Sequence, residues 1–243
     1  MSEDWVLFKF KPINKHLIES LVSPSLYFPK PDLLNDPFDC QLDLRKSFSR
    51  AAEKAHGIRK AGLQAAIYSK DLLENYAQQF KNIGVCSFSV LQGSFDEPLL
   101  WSHYAADHKG VCLLYRFPEN FLHNPKEILG VDTVKYGVDV LTDWLITSPI
   151  EPSENNFIFE LAKVFLTAKN SSWEYEKEAR IIRPTHGSFN IPHGCLEQIC
   201  FGLRTPSTDI ELISKLAKEY SGCSKFCKIV HADTDFGMSV VAL

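Results

Sequence analysis

Short β-prone runs recur along the whole chain, and their distribution constrains the fold more than any other feature. Alternating apolar residues and flanking breakers predict strands at residues 5–10, 26–28, 84–90, 111–117, 126–136, 178–183, 187–191, 197–201 and 226–232. Helical spacing predicts helices at residues 14–22, from Pro98 to just before Gly110, at 153–168 and at 207–221. Because strands and helices do not alternate strictly, we predict an α+β fold rather than a doubly wound one.

Residues 46–82 carry helical spacing with few breakers, and Gly57 and Gly62 are the expected interruptions. This segment is predicted to form two helices that make a cap or insertion. The chain has 243 residues and contains no internal repeat or linker-like composition. We therefore expect a single domain over residues 1–243 with a helical insertion at about 46–82.

Composition points to a cytoplasmic protein without a membrane span. The net charge of −4 gives no general basic field for nucleic acid, and no apolar run approaches the roughly 18 residues that a span requires. The start, MSEDWVLFKF, lacks the order of a secretory signal. Seven cysteines, mostly within apolar runs, favour buried, reduced thiols. Cys223 and Cys227 have no second close pair to complete four zinc ligands, so no metal is predicted.

Two polar segments are candidates for the rim and wall of a site. In NDPFD, Asn35 and Asp36 favour a tight surface turn, or else a loop that meets a ligand's hydroxyls. In LLWSHYAADHKG, a helix would bring Trp101, His103 and Tyr104 close together. These rings form either an aromatic core element, with a half-buried histidine, or a pocket wall that stacks a flat ring.

The stretch SSWEYEKEARIIRP places Glu176, Glu178 and Arg180 at every second position. If the stretch is extended, these side chains share one face of a strand and line one surface with two acids and a base. The alternative is a helical turn with a solvated charged face. Neither common glycine-rich phosphate loop is present, and GxSxG and HExxH are also missing.

The chain resembles a widespread bacterial family known as a domain of unknown function, on the motifs NDPFD, LWSHYA and WxYExExR together with CSFS. The likeness runs from about residue 5 to residue 231. A more distant resemblance is to ADP-ribosyltransferases, which carry a basic residue on a first strand, a small hydroxyl residue on a middle strand and a late Glu-x-Glu pair. Lys9, Ser87, Glu176 and Glu178 would match these positions. This resemblance implies a split sheet, mixed or antiparallel, with flanking helices.

The resemblance also implies roles for these residues around NAD as a substrate. Glu178 would stabilise positive charge that develops on the ribose, and Ser87 would position Glu178 or the sugar. Glu176 would orient or deprotonate the acceptor. Arg180 or Lys9 would keep both acids ionised and help to hold the pyrophosphate. In this family the basic residue usually is Arg or His, so Lys9 is a departure.

Five further residues would complete a nucleotide site under this resemblance. Trp101, His103 and Tyr104 would form the wall on which nicotinamide or adenine stacks, while Asn35 and Asp36 would edge the cleft. The expected protein is an NAD-consuming transferase or glycohydrolase, as in toxins or phage-defence effectors, with a protein or nucleic acid as acceptor. Two alternatives stay open: a non-catalytic sensor that binds a nucleotide or peptide, and a nuclease or phosphodiesterase that uses His103 and the carboxylates.

Overall fold

The computed structural model describes residues 4–69, 71–93, 95–149, 154–234 and 236–243. The strands are β1 Trp5–Lys11, β2 Ser25–Phe28, β3 Gly84–Ser89, β4 Val111–Phe117, β5 Gly130–Thr133, β6 Lys135–Tyr136, β7 Ala168–Lys169, β8 Glu178–Arg183, β9 Gly187–Asn190, β10 Leu196–Phe201, β11 Lys225–His231 and β12 Met238–Ala242. The α-helices are α1 Lys15–Val22, α2 Leu44–Lys54, α3 Gly57–Tyr68, α4 Leu72–Phe80, α5 Pro98–Tyr104, α6 Glu119–Leu122, α7 Val140–Thr147, α8 Glu154–Thr167 and α9 Ser207–Leu216. Two 3-10 turns, Pro31–Leu33 and Ser171–Glu176, and a π-helical turn, Ala217–Ser221, complete them.

Eight strands form one mixed sheet in the order β12-β11-β10-β4-β1-β3-β8-β5. Neighbouring strands are antiparallel except for β10 and β11, which are parallel. Two small sheets, β2 with β9 and β6 with β7, lie apart from it. The prediction of an α+β fold is confirmed.

The centre of the large sheet is held together weakly. In the β1–β3 ladder only Phe8 and Ser89 are paired, although both strands are fully described, whereas β1 pairs with β4 over seven residues. Backbone groups on the facing edges of β1 and β3 are therefore left without ladder partners over most of their length. This opening in the sheet positions the candidate site.

Alternation along the strands separates three apolar cores. Leu7 and Ile181 face a core on one side of the sheet. On the other side, Val85 packs with α2, α4, α7 and α8, and Phe8 packs with α5 in a separate cluster. Successive strand residues point to opposite faces, so the division between the two sides of the sheet follows from the sequence pattern.

The predicted insertion at 46–82 contains three helices, α2 to α4, instead of two. Gly62 does not interrupt α3, because one exposed glycine costs a helix only about 1 kcal/mol. The second break falls at Asp71, whose φ of 69° is left-handed.

Other boundaries also differ from the sequence predictions. Helix α5 ends at Tyr104, and the next turn has positive φ at 106–108. The backbone packs tightly after this turn, because a Cβ on Gly110 would lie 2.2 Å from the Lys11 carbonyl oxygen. The strand predicted at 126–136 is two strands in different sheets. Helix α7 and strand β12 were not predicted, so β11 does not close the sheet. Residue 153, where α8 was predicted to begin, lies outside the described residues.

Candidate functional site

A half-open cleft of about 210 Å³ lies where β1 and β3 lose their pairing. Strands β1, β3 and β8, the loop after β2, helix α5 and the 3-10 turn before β8 all contribute to its wall. Its polar lining consists of Lys9, Asn35, Asp36, Asp39, Ser87, Ser89, Tyr104, Lys169, Glu176 and Glu178. Seven of the predicted site residues therefore meet in one place: Lys9, Asn35, Asp36, Ser87, Tyr104, Glu176 and Glu178.

Glu176 and Glu178 do not share one strand, and this part of the prediction is wrong. Glu178 begins β8, whereas Glu176 ends the 3-10 turn, which Asn170 caps by accepting a hydrogen bond from the Ser172 N–H at 2.9 Å. Lys177 joins the two with a left-handed φ of 45°. The chain is thus helical before Lys177, as the alternative interpretation had it, and extended after Lys177. Both acids are nevertheless only 4% exposed, and both line the cleft.

Arg180 lies behind the carboxylates and is fully buried. Its guanidinium donates to both carboxylate oxygens of Asp39, at 2.9 and 2.6 Å, and to both of Glu178, at 2.7 and 3.1 Å. It also donates to the Leu166 carbonyl oxygen at 2.6 Å. A guanidinium has five N–H groups, so Arg180 is fully used. Arg180 therefore holds the carboxylates in place from behind the cleft. The resemblance implied that it would help to hold a pyrophosphate, but its buried guanidinium is not placed to do so.

The charge of Glu178 is set by its neighbours. Burial alone would raise the pKa of this carboxyl, but Arg180, followed by Lys169 and a hydrogen bond from Ser87, lowers it to about 2. The N–H of Glu178 donates to the hydroxyl of Tyr136 at 2.8 Å, which fixes the start of β8. Glu178 is therefore an ionised carboxylate in a fixed orientation.

Glu176 has a different set of partners. The Tyr104 hydroxyl and the Lys169 ammonium donate to it, one to each carboxylate oxygen. Burial, and then Glu176, raise the pKa of Tyr104, which is also hydrogen-bonded to Asn35. Tyr104 is thus a neutral hydrogen-bond donor to Glu176. Asn35 forms part of the rim and is also hydrogen-bonded to Tyr104, so it contacts Glu176 only indirectly.

The ammonium of Lys9 is bonded to the backbone of the large sheet. By alternation Lys9 points to the same face as Leu7, opposite Glu178, and its Nζ donates to the Ser87 carbonyl oxygen at 2.6 Å. It also lies 4.8 Å from the centre of the Phe88 ring. Lys9 therefore bridges β1 and β3 where their ladder ends.

Two of the predicted aromatic residues lie outside the cleft lining. Trp101 is fully buried, and its indole N–H donates to the Phe95 carbonyl oxygen at 2.6 Å, so it is a core residue. His103 is exposed, and its ring lies 5.9 Å from that of Tyr175. The aromatic residues that line the cleft in addition to Tyr104 are instead Phe8, Phe10, Phe88 and Trp173.

Sequence reasoning missed Asp39, Lys169, Tyr136 and Trp173. Asp39 and Trp173 lie within NDPFD and WEYEKEAR, so these motifs contained the signal. Asp36, which was predicted, accepts a hydrogen bond from the Phe38 N–H at 2.9 Å and shapes the turn. Lys169 follows helix α8 with no local pattern that distinguishes it from a surface lysine.

The cysteines form no disulfide among the residues that the structure describes. All seven are free and buried. Cys223 packs in the core with Leu7, whereas Cys227 packs with Phe8 on the other side of the sheet. Within the same part of the chain, no group of three or more His, Cys, Asp or Glu residues is arranged to hold a metal ion.

Residues 100–181 match the model of a family described as "Protein of unknown function (DUF2971)". This confirms the resemblance to a family of unknown function over that stretch, which covers a third of the chain and runs from α5 into β8. No curated protein and no solved structure matches the chain. No described helix combines the length and the apolar character that crossing a membrane requires.

Proposed function

We propose that the cleft binds NAD and that the protein is an ADP-ribosyltransferase-like enzyme, acting as a transferase or a glycohydrolase. One observation carries this proposal. Ser87 on β3 donates a hydrogen bond to the ionised Glu178 on the neighbouring β8, in the wall of the cleft that Lys9 of β1 also lines. This pairing of a hydroxyl with an acid supports the proposal, although the Lys9 ammonium points to the opposite face of the sheet and bonds to the Ser87 carbonyl oxygen.

Glu178 suits the cleavage of a nicotinamide–ribose bond. Nicotinamide leaves with the electron pair of the C–N bond, and positive charge develops on the ribose carbon and ring oxygen. A carboxylate held beside the sugar stabilises this charge more in the transition state than in the ground state. Because Arg180, Lys169 and Ser87 already orient Glu178, little reorganisation is needed when the charge forms.

Glu176 suits the second half of the reaction. The ribose carbon gains a bond to the oxygen or nitrogen of the acceptor, or to water, and the proton released from this group passes to a base. Glu176 lines the same cleft as Glu178, and both bond to Lys169. The two acids therefore have separate roles in bond cleavage and in proton acceptance.

The size of the cleft fits part of a dinucleotide. Its volume of about 210 Å³ lies below the roughly 300–1,000 Å³ of pockets that enclose a drug-sized ligand. We expect the nicotinamide riboside portion to enter, with Trp173 available for ring stacking. The remainder of the dinucleotide would lie across the open mouth.

Release of nicotinamide from NAD tests the proposal. The wild type should release nicotinamide, Glu178→Gln should lose at least about 100-fold in rate, and Ser87→Ala should lose less. Glu127→Gln is the matched control, because Glu127 pairs at 2.9 Å with Arg183, at the other end of β8 and outside the cleft lining. Absence of both NAD binding and nicotinamide release in the folded wild type would refute the proposal.

A second candidate is a non-catalytic nucleotide-binding module. It is favoured by the finding that both acids already have cationic partners, as in a structural ion-pair network. In this case Glu178→Gln would change the Kd for NAD, and neither protein would release nicotinamide.

A further inference from the structure

Lys169 is held in the cleft by its main chain and by a ring. It ends β7, which pairs in parallel with β6, and its carbonyl oxygen accepts a hydrogen bond from the Gly137 N–H at 3.0 Å. The side chain is 8% exposed, and Nζ lies 5.2 Å from the centre of the Trp173 ring. The position of the ammonium is therefore fixed from outside the large sheet.

Three carboxylates surround this ammonium. Glu176 pairs with it directly, Glu178 lies at 2.9 Å and Asp39 at 3.6 Å. Burial lowers the pKa of Lys169, but Glu178 and then Glu176 outweigh burial and raise it, so the ammonium stays charged. The cluster thus has three negative groups and, with Arg180, two positive ones.

Lys169 and Arg180 do not pair with the same acids. Arg180 serves Asp39 and Glu178, and its remaining donor bonds to a backbone carbonyl. Among the ion pairs of the described residues, Lys169 is the only cation that pairs with Glu176. The other hydrogen-bond partner of Glu176 is the neutral hydroxyl of Tyr104.

We propose that Lys169 is a positioning residue that pairs with Glu176 and orients it as the proton acceptor, while Arg180 does the same for Glu178. This inference rests on the proposed function for its catalytic meaning. Without Lys169, three neighbouring buried carboxylates would face one cleft, and Arg180 would pair with only two of them, Asp39 and Glu178. When neighbouring carboxylates lack a cation, repulsion at close range raises the pH at which the last proton is released.

The pH dependence of thermal unfolding tests this role without any ligand. Lys169→Met keeps most of the apolar stem, and Lys169→Arg keeps the charge. In Lys169→Met, the acids of this cluster are left with one cation and together bind a proton more strongly in the folded chain than in the unfolded one, so stability present in acid is lost as pH rises. Relative to wild type, we expect its Tm to fall by about 5 °C or more between about pH 5 and pH 8.

Two further variants separate this effect from a loss of packing. Lys169→Arg should follow the wild-type profile, and the double variant Lys169→Met with Glu176→Gln should lose the extra pH dependence because its remaining acids, Asp39 and Glu178, both pair with Arg180. A Lys169→Met profile that is lowered equally at every pH would overturn the inference. So would an extra pH dependence that persists in the double variant.

Nicotinamide release on the same proteins distinguishes the inference from the proposed function. If NAD is consumed, Lys169→Met should retain at least about ten times more of this activity than Glu178→Gln, because Arg180 still orients Glu178. Equal losses would overturn the division of roles between the two cations. If the wild type does not consume NAD, the proposed function fails, whereas the unfolding profiles still decide whether Lys169 keeps a proton off the acids of this cluster.

Discussion

Glu178 should make the folded state lose stability in acid, and Glu178→Gln should remove that loss. Burial would raise the pKa of this carboxyl, but Arg180, Lys169 and Ser87 together lower it from 4.5 to about 2. A carboxyl with a lowered folded-state pKa stabilises the fold above its unfolded pKa, and the contribution is lost as pH falls through the folded one. The window for the effect is therefore pH 4.5 to about 2.

The magnitude follows from the same two values. Each pKa unit corresponds to about 1.4 kcal/mol, so the difference between 4.5 and about 2 corresponds to about 3 kcal/mol. Urea unfolding of wild type and Glu178→Gln at several pH values measures it. Between about pH 5 and pH 2, the free energy of unfolding of the wild type should fall by about 3 kcal/mol more than that of the variant. Other acids titrate in both proteins, so the difference isolates Glu178.

A graded comparison makes the test stricter. Ser87→Ala removes one hydrogen bond to Glu178 and leaves Arg180 and Lys169 in place. Its profile should keep most of the acid dependence of the wild type. Parallel curves for wild type and Glu178→Gln would show that Glu178 is not held ionised by this cluster and would refute the reasoning.

Four other substitutions have expected outcomes for the free energy of unfolding, measured with urea. Arg180→Met leaves two buried carboxylates short of a partner and should cost about 3–5 kcal/mol. Gly110→Ala places a Cβ against a backbone oxygen and should cost roughly 1–3 kcal/mol, whereas Gly62→Ala, in open space within α3, should stabilise by about 0.5–1 kcal/mol. Burial and then Lys9 lower the pKa of Lys11 from 10.5 to about 8, so stability should rise between these pH values in wild type but not in Lys11→Met.

Local features of the sequence account for much of the secondary structure. Asn14 caps α1 as expected, since its side chain accepts from the Leu17 N–H at 3.1 Å. Alternation correctly placed β8 and put Glu178 and Arg180 on one face of it. It failed for Glu176 because a capped 3-10 turn ends there, and periodicity over three residues cannot separate such a turn from a strand.

The aromatic residues of α5 show a second limit of prediction from local sequence patterns. Helical spacing brought Trp101, His103 and Tyr104 close together but left open whether they form a core or a pocket wall. Packing decided this residue by residue: Trp101 is buried against Phe10, His103 is exposed, and Tyr104 reaches Glu176. The direction of each side chain depends on which elements cover the helix, and these lie far away in the chain.

The sequence by itself determined the α+β class, most of the strands and the segments that carry acidic and aromatic residues, because periodicity and capping act over a few neighbouring residues. Only the tertiary structure decided that β1 and β3 separate to open a cleft and that Arg180 meets Asp39, 141 positions away in the chain. It also decided that Lys169 pairs with Asp39, Glu176 and Glu178. Contacts of this kind depend on strand order and burial, and no local pattern encodes either.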